Sequence, residues 1–333
     1  MKLPTAVETL VFTTLIACAS CLSLHKEWAK FKIDYGKKYS TLKEESNRFS
    51  IFKSNLEIIG KHNENYENGV VSYTMAVNQF ADLTWNEFKV RLGLKPNHSL
   101  NLKEEYFGPG VEDDVPQYVN WAEKGVVTEV KNQGSCGSCW SFSVTGAIES
   151  ALAINTGRLV SLSEQNLVDC VSCGSYGGCN GCYLDVALEY VRKNGIMSER
   201  DYCYNASKSS CRFDESKVAA HIESYAHVTP PEEDALKKAT ASIGPIAVTI
   251  DVERAFMFYS SGILEDNECS NQAWKANHAV LVVGYGSHEG KNYWIVKNSW
   301  GPKWGQKGYV YMSRDHGNQC GIASTAYYPI GTH

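Results

Sequence analysis

The distribution of cysteine residues is the feature that most constrains how this chain can fold. Twelve cysteines are present in 333 residues; ten of them lie between Cys136 and Cys320, and none lies between Cys21 and Cys136. Such crowding is typical of proteins that form disulfides in an oxidising compartment. The sequence therefore predicts a first third without cross-links and a cross-linked remainder.

A zinc site is the alternative explanation for two pairs of these cysteines. Cys136-x-x-Cys139 and Cys170-x-x-Cys173 have the spacing of zinc ligands. Disulfides are favoured because the chain begins with an export signal and contains glycosylation sequons. We therefore expect no metal and no other cofactor.

The N-terminus has the pattern of a cleaved signal peptide. Lys2 precedes an apolar run, Leu10 to Ala19, that ends in the small-x-small sequence Ala17-Cys18-Ala19. The run is too short to span a bilayer, and the alternative is a buried N-terminal helix. We expect residues 1–19 to be a signal peptide that directs the protein into the secretory pathway, to the lysosome or outside the cell.

The charge distribution excludes two classes of partner. The net charge is −5, and no dense run of Lys or Arg is present. A basic surface is what nucleic acids and anionic membranes attract. Neither nucleic acid nor a membrane is therefore an expected partner.

The remaining chain divides into three parts. Residues 20–114 are charged and helix-prone, with helical periodicity in Glu44–Asn63, and end in an acidic, Gly- and Pro-containing connector, Phe107–Asp114, that a protease can reach. Residues from about 124 to 225 carry helical patterns, and those from about 226 to 327 carry short β-branched and aromatic runs. The sequence therefore predicts a prosegment and a mature chain, residues 115–333, with a helical lobe and a β-rich lobe. The predicted helices are 139–156, 163–170 and 184–194, and the predicted strands are 246–251, 279–284, 292–297 and 308–313.

Cys139 is the strongest candidate for a nucleophile. A glycine-rich loop leads into a helical pattern here, and a helix N-terminus favours the reactive thiolate through its dipole and its free N–H groups. His278, at the entry to an apolar strand, is the candidate base, and Asn298 can accept from its imidazole and fix its orientation. Trp300 could shield that hydrogen bond from water. The side-chain amide of Gln133, with the N–H of Cys139, could stabilise an oxyanion.

The sequence around these residues resembles the papain-like cysteine protease family. Cys136-Gly-Ser-Cys139-Trp140, followed by His278 and Asn298, is similar to the active-site signature of papain and the cathepsins. Two motifs of the prosegment are similar to those of cathepsin L- and H-type propeptides, with Ala76 where Gly is usual. These motifs are Glu44-x3-Arg48-x3-Phe52-x2-Asn55-x3-Ile59-x3-Asn63 and Ala76-x-Asn78-x-Phe80-x-Asp82.

The resemblance implies an α+β, two-lobed fold, with a helical left lobe and an antiparallel β-barrel-like right lobe, preceded by a helical inhibitory prosegment. It implies catalytic roles for Gln133, Cys139, His278 and Asn298. The implied substrate-binding residues are Gly181, Tyr183, Leu184, Thr249, Ala279, Trp300 and Thr325. The pocket for the residue two before the scissile bond (P2) would then be mostly apolar and would accept Leu, Val or Phe rather than Arg.

The resemblance also implies disulfides. The implied pairs are Cys136–Cys179, Cys170–Cys211 and Cys269–Cys320. Cys173, Cys182 and Cys203 remain, and sequence cannot decide their connectivity. We expect Cys182 and Cys203, which replace a usual Gly and a usual Pro of the family, to pair with each other and leave Cys173 free. The glycosylation sequons are at Asn97 and Asn205.

The predicted function is that of a cysteine endopeptidase made as a self-inhibited zymogen. Protein and peptide substrates, the protein's own propeptide and cystatin-like inhibitors are the expected partners of a monomeric enzyme. Two alternatives are a catalytically inactive relative that acts as a scaffold and a disulfide-stapled structural domain. An inactive relative usually lacks the nucleophile, whereas Cys139 is present in this chain. A structural domain would leave the prosegment unexplained.

Overall fold

The computed structural model describes residues 23–94 and 114–333. The predicted signal peptide, the sequon at Asn97 and most of the predicted connector lie outside the described residues.

The prosegment is helical, as expected. Its helices are α1 (23–34 of the described residues), α2 (Leu42–Glu67) and α3 (Trp85–Lys89), and a short strand, β1 (Tyr73–Met75), lies between the last two. The side chain of Thr41 caps α2 by accepting from the backbone N–H of Glu44. Trp28, Phe31 and Phe52 pack together with ring centroids 4.9–5.5 Å apart, which joins α1 to α2 in a small aromatic core.

Helices dominate the first half of the mature region. They are α4 (Cys139–Thr156), α5 (Glu164–Cys170) and α6 (Leu184–Asn194), accompanied by a two-stranded sheet of β3 (Ile196–Met197) and β4 (Val218–Ala220). Thirteen of the eighteen residues of α4 are buried, so it is the central helix of this lobe. The predicted bounds of all three helices are confirmed within one residue.

Most strands form one large sheet. The further strands are β2 (Val119–Asn120), β5 (Ser224–His227), β6 (Ile246–Ile250), β7 (Tyr259–Leu264), β8 (His278–His288), β9 (Lys291–Lys297), β10 (Tyr309–Ser313) and β11 (Ala326–Ile330), with two helices, α7 (Glu233–Ser242) and α8 (Arg254–Met257). Within the described residues the order is β1-β7-β10-β9-β8-β6-β11-β5, with β2 paired to β8. Only β7 and β10 are parallel. The α+β, two-lobed fold class is confirmed.

The two lobes meet where α4 packs against β8 and β6. The hydroxyl of Ser143 on α4 donates to the carbonyl oxygen of Val280 on β8 at 2.7 Å. This contact brings the start of α4, at Cys139, beside the start of β8, at His278. The lobe interface therefore places the two predicted catalytic residues together.

Four disulfides are present among the described residues. Three have the expected pairing, Cys136–Cys179, Cys170–Cys211 and Cys269–Cys320. The expectation for the fourth was wrong, because Cys182 pairs with Cys173, whose Cα lies 5.7 Å away. Cys203 is free and exposed. The sequence-based pairing failed because it joined Cys182 to Cys203 only on the ground that both replace usual residues of the family, and the fold does not bring these two together.

A cluster of buried charges lies close to this lobe interface. The ammonium group of Lys131 donates to Glu149 on α4 and to Glu164 on α5, each at 2.7 Å. Thr128 donates to Glu149 and accepts from Lys297 at 2.9 Å. Burial raises the pKa of Glu164, whereas Lys131 helps to hold the pKa of Glu149 below its usual range despite burial. The buried charges of the cluster therefore depend on one another, and only Oε2 of Glu164 has no hydrogen-bond partner among these groups.

Substitution Glu149→Ala is expected to destabilise the protein by about 3–5 kcal/mol, because it leaves Lys131 with an incomplete set of buried partners. Urea unfolding of the proenzyme measures this, in a Cys139→Ser background that prevents self-cleavage. The control is Glu189→Ala, which breaks the exposed pair with Arg192 and should cost no more than about 1 kcal/mol. Equal losses from the two variants would contradict the interpretation.

Candidate active site

Cys139 is the first residue of α4 and is completely buried. Its Sγ accepts from the backbone N–H of Ala279 at 3.4 Å. Because Ala279 follows His278 directly on β8, this contact joins the helix start to the strand start. The structure therefore brings the predicted nucleophile and the predicted base together.

The imidazole of His278 is held from one side. Its Nε2 lies 2.9 Å from Asn298 Oδ1. An amide oxygen only accepts, so we assign the proton to Nε2. Nδ1 has no hydrogen-bond partner among the described residues, which leaves it able to accept a proton. The ring of Trp300 lies 4.8 Å from the imidazole, centroid to centroid, and covers this pair as expected.

The side-chain amide of Gln133 is also positioned by its neighbours. Its Oε1 accepts from the hydroxyl of Ser299 at 2.6 Å, and its Nε2 donates to the carbonyl oxygen of Cys136 at 2.9 Å. Nε2 also donates to the carbonyl oxygen of Arg91, in the prosegment, at 3.0 Å. A backbone carbonyl group of the prosegment therefore occupies the donor that was predicted to bind an oxyanion.

At Gly93, the prosegment passes through the cleft with no side chain between the two walls. A Cβ on Gly93 would overlap the carbonyl group of Gly137, and a Cβ on Gly181 would overlap that of Gly93. One residue later, the N–H of Leu94 donates to the carbonyl oxygen of Asn277 at 3.1 Å. The covering segment thus lies in closest contact with both walls at Gly93, beside the nucleophile.

Aromatic residues of the prosegment cover the other side of the site. Phe80 and Phe88 pack edge-on against Trp300, with centroids 5.5 and 5.2 Å away. Gln79 Nε2 donates to the carbonyl oxygen of Trp300 at 2.6 Å, and Asn78 Nδ2 donates to that of Met257 at 2.8 Å. These contacts anchor the prosegment next to the imidazole.

The motif residues of the prosegment hold its own fold together. Arg48 pairs with Glu87 at 2.8 Å, and Lys37 pairs with Asp82 at 2.7 Å. Asn55 Nδ2 donates to the carbonyl oxygen of Ala81 at 2.8 Å. The bonds of Arg48 and Asn55 join α2 to the segment that enters the cleft, and that of Lys37 joins the α1–α2 connection to it.

Burial favours the neutral forms of both reactive groups. Burial raises the pKa of the Cys139 thiol to about 11, although the N–H groups of Ala279 and Gly93 oppose the shift. Burial lowers the pKa of His278 to about 4, although its hydrogen bond to Asn298 opposes the shift. The thiolate expected from the helix N-terminus is therefore disfavoured in the zymogen. The cost of burying a charged sulfur outweighs the stabilisation that the neighbouring backbone N–H groups provide.

Three of the predicted P2-pocket residues are joined by backbone pairing, and two belong to one buried apolar cluster. Thr249 pairs with Ala279 across β6 and β8, and its N–H donates to the carbonyl oxygen of Thr325 at 3.1 Å. Leu184, at the start of α6, belongs to the same buried cluster as Ala279 and Leu94. Tyr183 precedes Leu184 and is partly buried.

The sequence interpretation missed two residues, Asn277 and Tyr204, whose hydrogen bonds position the catalytic groups. Asn277 Nδ2 donates to Asp251 Oδ1 at 2.9 Å, and the N–H of Val252 donates to Asn277 Oδ1 at 2.9 Å, which fixes the turn before His278. The hydroxyl of Tyr204 donates to the carbonyl oxygen of Gln133 at 2.9 Å. Adjacency to His278 could have singled out Asn277, whereas no sequence signal indicates its partner.

Comparison with known proteins is in agreement with this geometry. Residues 115–330 match the papain family cysteine protease model, and residues 28–88 match the cathepsin propeptide inhibitor domain (I29). The chain is 42% identical to a cathepsin L-like peptidase of Aedes aegypti, over 96% of this chain and 98% of that one. It is 45% identical to digestive cysteine proteinase 1 of Homarus americanus, over 91% and 94%.

Solved proenzymes have a similar overall fold. Digestive procathepsin L 3 from the larval midgut of Tenebrio molitor matches with a TM-score of 0.85 and 44% identity, over 92% of this chain and 99% of that one. The recombinant stem bromelain precursor matches with a TM-score of 0.83 and 36% identity, over 92% and 99%. The chain therefore belongs to the papain family of cysteine proteases, as a cathepsin L-like zymogen with a self-inhibitory propeptide.

Proposed function

We propose that the mature enzyme is an endopeptidase in which Cys139 is the nucleophile, His278 the general base and acid, and Asn298 the residue that orients the imidazole. The observation that carries this proposal is the 2.9 Å bond between Asn298 Oδ1 and His278 Nε2, which leaves Nδ1 without a partner in the part of the chain that the structure describes. The bond between Ala279 N–H and Cys139 Sγ supports it, because it brings the sulfur to the same strand start.

The reaction follows from these positions. Cys139 transfers its thiol proton to His278 Nδ1, and the sulfur attacks the peptide carbonyl carbon. Gln133 Nε2 and the N–H of Cys139 donate to the oxyanion, a role supported by the Arg91 carbonyl group that Gln133 binds in the zymogen. His278 then gives the proton to the leaving amine, and a thioester remains. Water, deprotonated by His278, hydrolyses the thioester and regenerates the thiol.

The apolar cluster around Leu184 supports a preference for apolar residues at P2. Leu94 of the prosegment is buried in the same apolar cluster. None of the proposed pocket residues carries a charge: Tyr183, Leu184, Thr249, Ala279 and Thr325. Arg at P2 would lose its hydration without a carboxylate to compensate.

Endopeptidase activity requires a groove that is open at both ends. The chain has no cysteine between residues 22 and 135, so a remnant of the prosegment cannot be cross-linked into the cleft from that interval. The interval from Cys170 to Cys182 is too short for a loop that would block the groove. An extended peptide can then bind on both sides of the scissile bond.

The maturation scheme completes the proposal. It assigns a signal peptide to residues 1–19, a propeptide to 20–114 and the mature enzyme to 115–333, with passage through the secretory pathway to the lysosome or the exterior. No helix in the described part of the chain has the length and hydropathy needed to cross a membrane. Asn205 is exposed and accessible for glycosylation. A monomer that cystatin-like inhibitors can bind is part of the same proposal.

Substitutions should separate the proposed catalytic roles. Cys139→Ser and His278→Ala should each lower kcat/KM by at least about a thousandfold, and Asn298→Ala by about a hundredfold, because it disturbs orientation alone. Fluorogenic peptide hydrolysis by the processed enzyme measures this, with the exposed, free Cys203→Ser as the matched control. Near-normal turnover by the Cys139→Ser variant would refute the assignment.

Neutralisation of the thiol in the zymogen should be visible in its alkylation. Because burial raises the pKa of Cys139 to about 11, the rate with iodoacetamide should rise about tenfold per pH unit from pH 6 to 9 in the proenzyme. The mature enzyme should react rapidly and change little. Mass spectrometry of the Cys139 peptide measures both rates. Steric coverage lowers the rate at every pH, so the slope reports on the pKa; a flat profile in the proenzyme would contradict it.

One panel of fluorogenic peptides tests both groove proposals. Leu, Val and Phe at P2 should be preferred over Arg by at least about tenfold in kcat/KM. N-terminally blocked peptides should be cleaved at least as well as the same peptides with a free amine. A preference for Arg would overturn the pocket assignment, and a strong preference for the free amine would show that some group caps the groove.

A further inference from the structure

The two proposed oxyanion donors lie at opposite ends of the loop that leads into α4. Gln133, whose side-chain Nε2 is one donor, begins this loop, and Ser138, directly before Cys139, ends it. Gly134 and Gly137 lie between them, and Gly134 has a positive φ of 63°. A glycine-rich loop does not by itself fix the distance between its ends. The separation of the two donors therefore depends on what holds those ends.

Several anchors hold the middle and the beginning of the loop. Cys136, in the middle, is cross-linked to Cys179. At the beginning, the N–H of Gln133 donates to the carbonyl oxygen of Ser299 at 2.8 Å, and Gln133 Oε1 accepts from the Ser299 hydroxyl at 2.6 Å. None of these contacts involves Ser138, so they leave the other end of the loop to be fixed by another group.

The hydroxyl of Tyr204 joins the two ends of the loop. It donates to the carbonyl oxygen of Gln133 at 2.9 Å and lies 2.6 Å from the hydroxyl of Ser138. A phenol has one proton and a carbonyl oxygen can only accept, so the Ser138 hydroxyl donates to the phenol oxygen. Burial raises the pKa of Tyr204 above its usual range, so the phenol keeps its proton at acid and neutral pH. This pair of hydrogen bonds is the Tyr204 bridge.

Tyr204 is itself held by the helical lobe. Its N–H donates to Glu199 Oε1 at 2.8 Å, and its ring packs edge-on against Phe142, near the start of α4, with centroids 4.9 Å apart. The N–H of Asn205, the next residue, donates to Gln165 Oε1 on α5 at 3.0 Å. None of these partners belongs to the prosegment. The contacts that hold Tyr204 therefore remain available in the processed enzyme.

We propose that Tyr204 is a positioning residue for peptide hydrolysis, which sets the separation between Gln133 Nε2 and the N–H of Cys139 by bridging the loop that joins them. The inference rests on the proposed function, because it takes these two groups as the oxyanion donors. Displaced donors stabilise the developing negative charge less well, whereas the substrate side chains bind elsewhere in the groove. Loss of the bridge should therefore lower kcat and leave KM nearly unchanged.

The first test is Tyr204→Phe in the processed enzyme, with a blocked fluorogenic peptide amide that carries Leu at P2. We expect kcat to fall about tenfold, because the donors are displaced; outright removal of one donor typically costs about a hundred- to a thousandfold. KM should change by less than about twofold.

Tyr202→Phe is the matched control. Tyr202 is buried and lies two residues away, but its hydroxyl donates to Asp169 on α5, at 2.8 Å, instead of to the oxyanion loop. The Tyr202→Phe enzyme should keep a kcat near that of the wild type. Equal losses from the two variants would show that Tyr204 only supports its own segment, and would overturn the proposal.

A pair of inhibitors with Leu at P2 measures binding at the oxyanion position directly. The Cys139 thiol adds across the C=O of a peptide aldehyde: sulfur bonds to the carbon and the proton passes to the oxygen, which lies where the oxyanion forms. The corresponding peptide alcohol has no carbonyl group and binds without this step. The ratio of aldehyde to alcohol affinity should fall about tenfold in Tyr204→Phe and stay unchanged in Tyr202→Phe. An unchanged ratio in Tyr204→Phe would refute the proposal.

The outcomes separate this inference from the proposed function. If the wild-type enzyme hydrolyses no peptide, the proposed function fails. If the wild-type enzyme is active and Tyr204→Phe keeps its kcat, only the role of the bridge is overturned. Should Tyr204→Phe not fold, Ser138→Ala removes the other hydroxyl of the bridge. It should also lower the ratio of aldehyde to alcohol affinity, and an unchanged ratio in that variant would contradict the proposal.

Discussion

The packing of α4 against β8 is the contact on which the rest of the molecule depends. It joins a helix N-terminus from one lobe to a strand start from the other, so Cys139 and His278 meet only if the lobes dock in this register. The bond from Ser143 to Val280 and the charge cluster around Lys131 both lie close to this interface. The chemistry of the site is therefore a property of how the lobes pack, since neither lobe contains both groups.

The prosegment uses the enzyme's own secondary structure to reach this site. Its strand β1 pairs antiparallel with β7 and extends the large sheet at its edge. From there the chain passes the rings around Trp300 and enters the cleft between the lobes. Inhibition then has a steric part, the chain in the groove, while burial in the zymogen also disfavours the charged forms of the thiol and the imidazole.

Sequence reasoning succeeded where local rules decide the structure. The helix at Cys139–Thr156 follows from its apolar pattern and from Gly157, and α5 begins where Ser163 caps it. It failed at some of the places where distant parts of the chain meet. The partner of Cys182 depends on the path of a glycine-rich loop, and the contact between Asp251 and Asn277 joins two strand ends. The raised pKa of Cys139 also depends on tertiary structure, because the burial that causes it comes from packing between distant parts of the chain.

Backbone atoms make the innermost contacts between the propeptide and the cleft. The carbonyl group of Arg91 and the N–H of Leu94 bind the walls, and Gly93 contributes no side chain between them. Every polypeptide offers the same N–H and carbonyl groups, so these backbone hydrogen bonds do not distinguish one propeptide from another. Recognition of the cognate enzyme by its propeptide must then come from side-chain contacts, such as those of Leu94, Phe80 and Phe88, and from the strand pairing of β1.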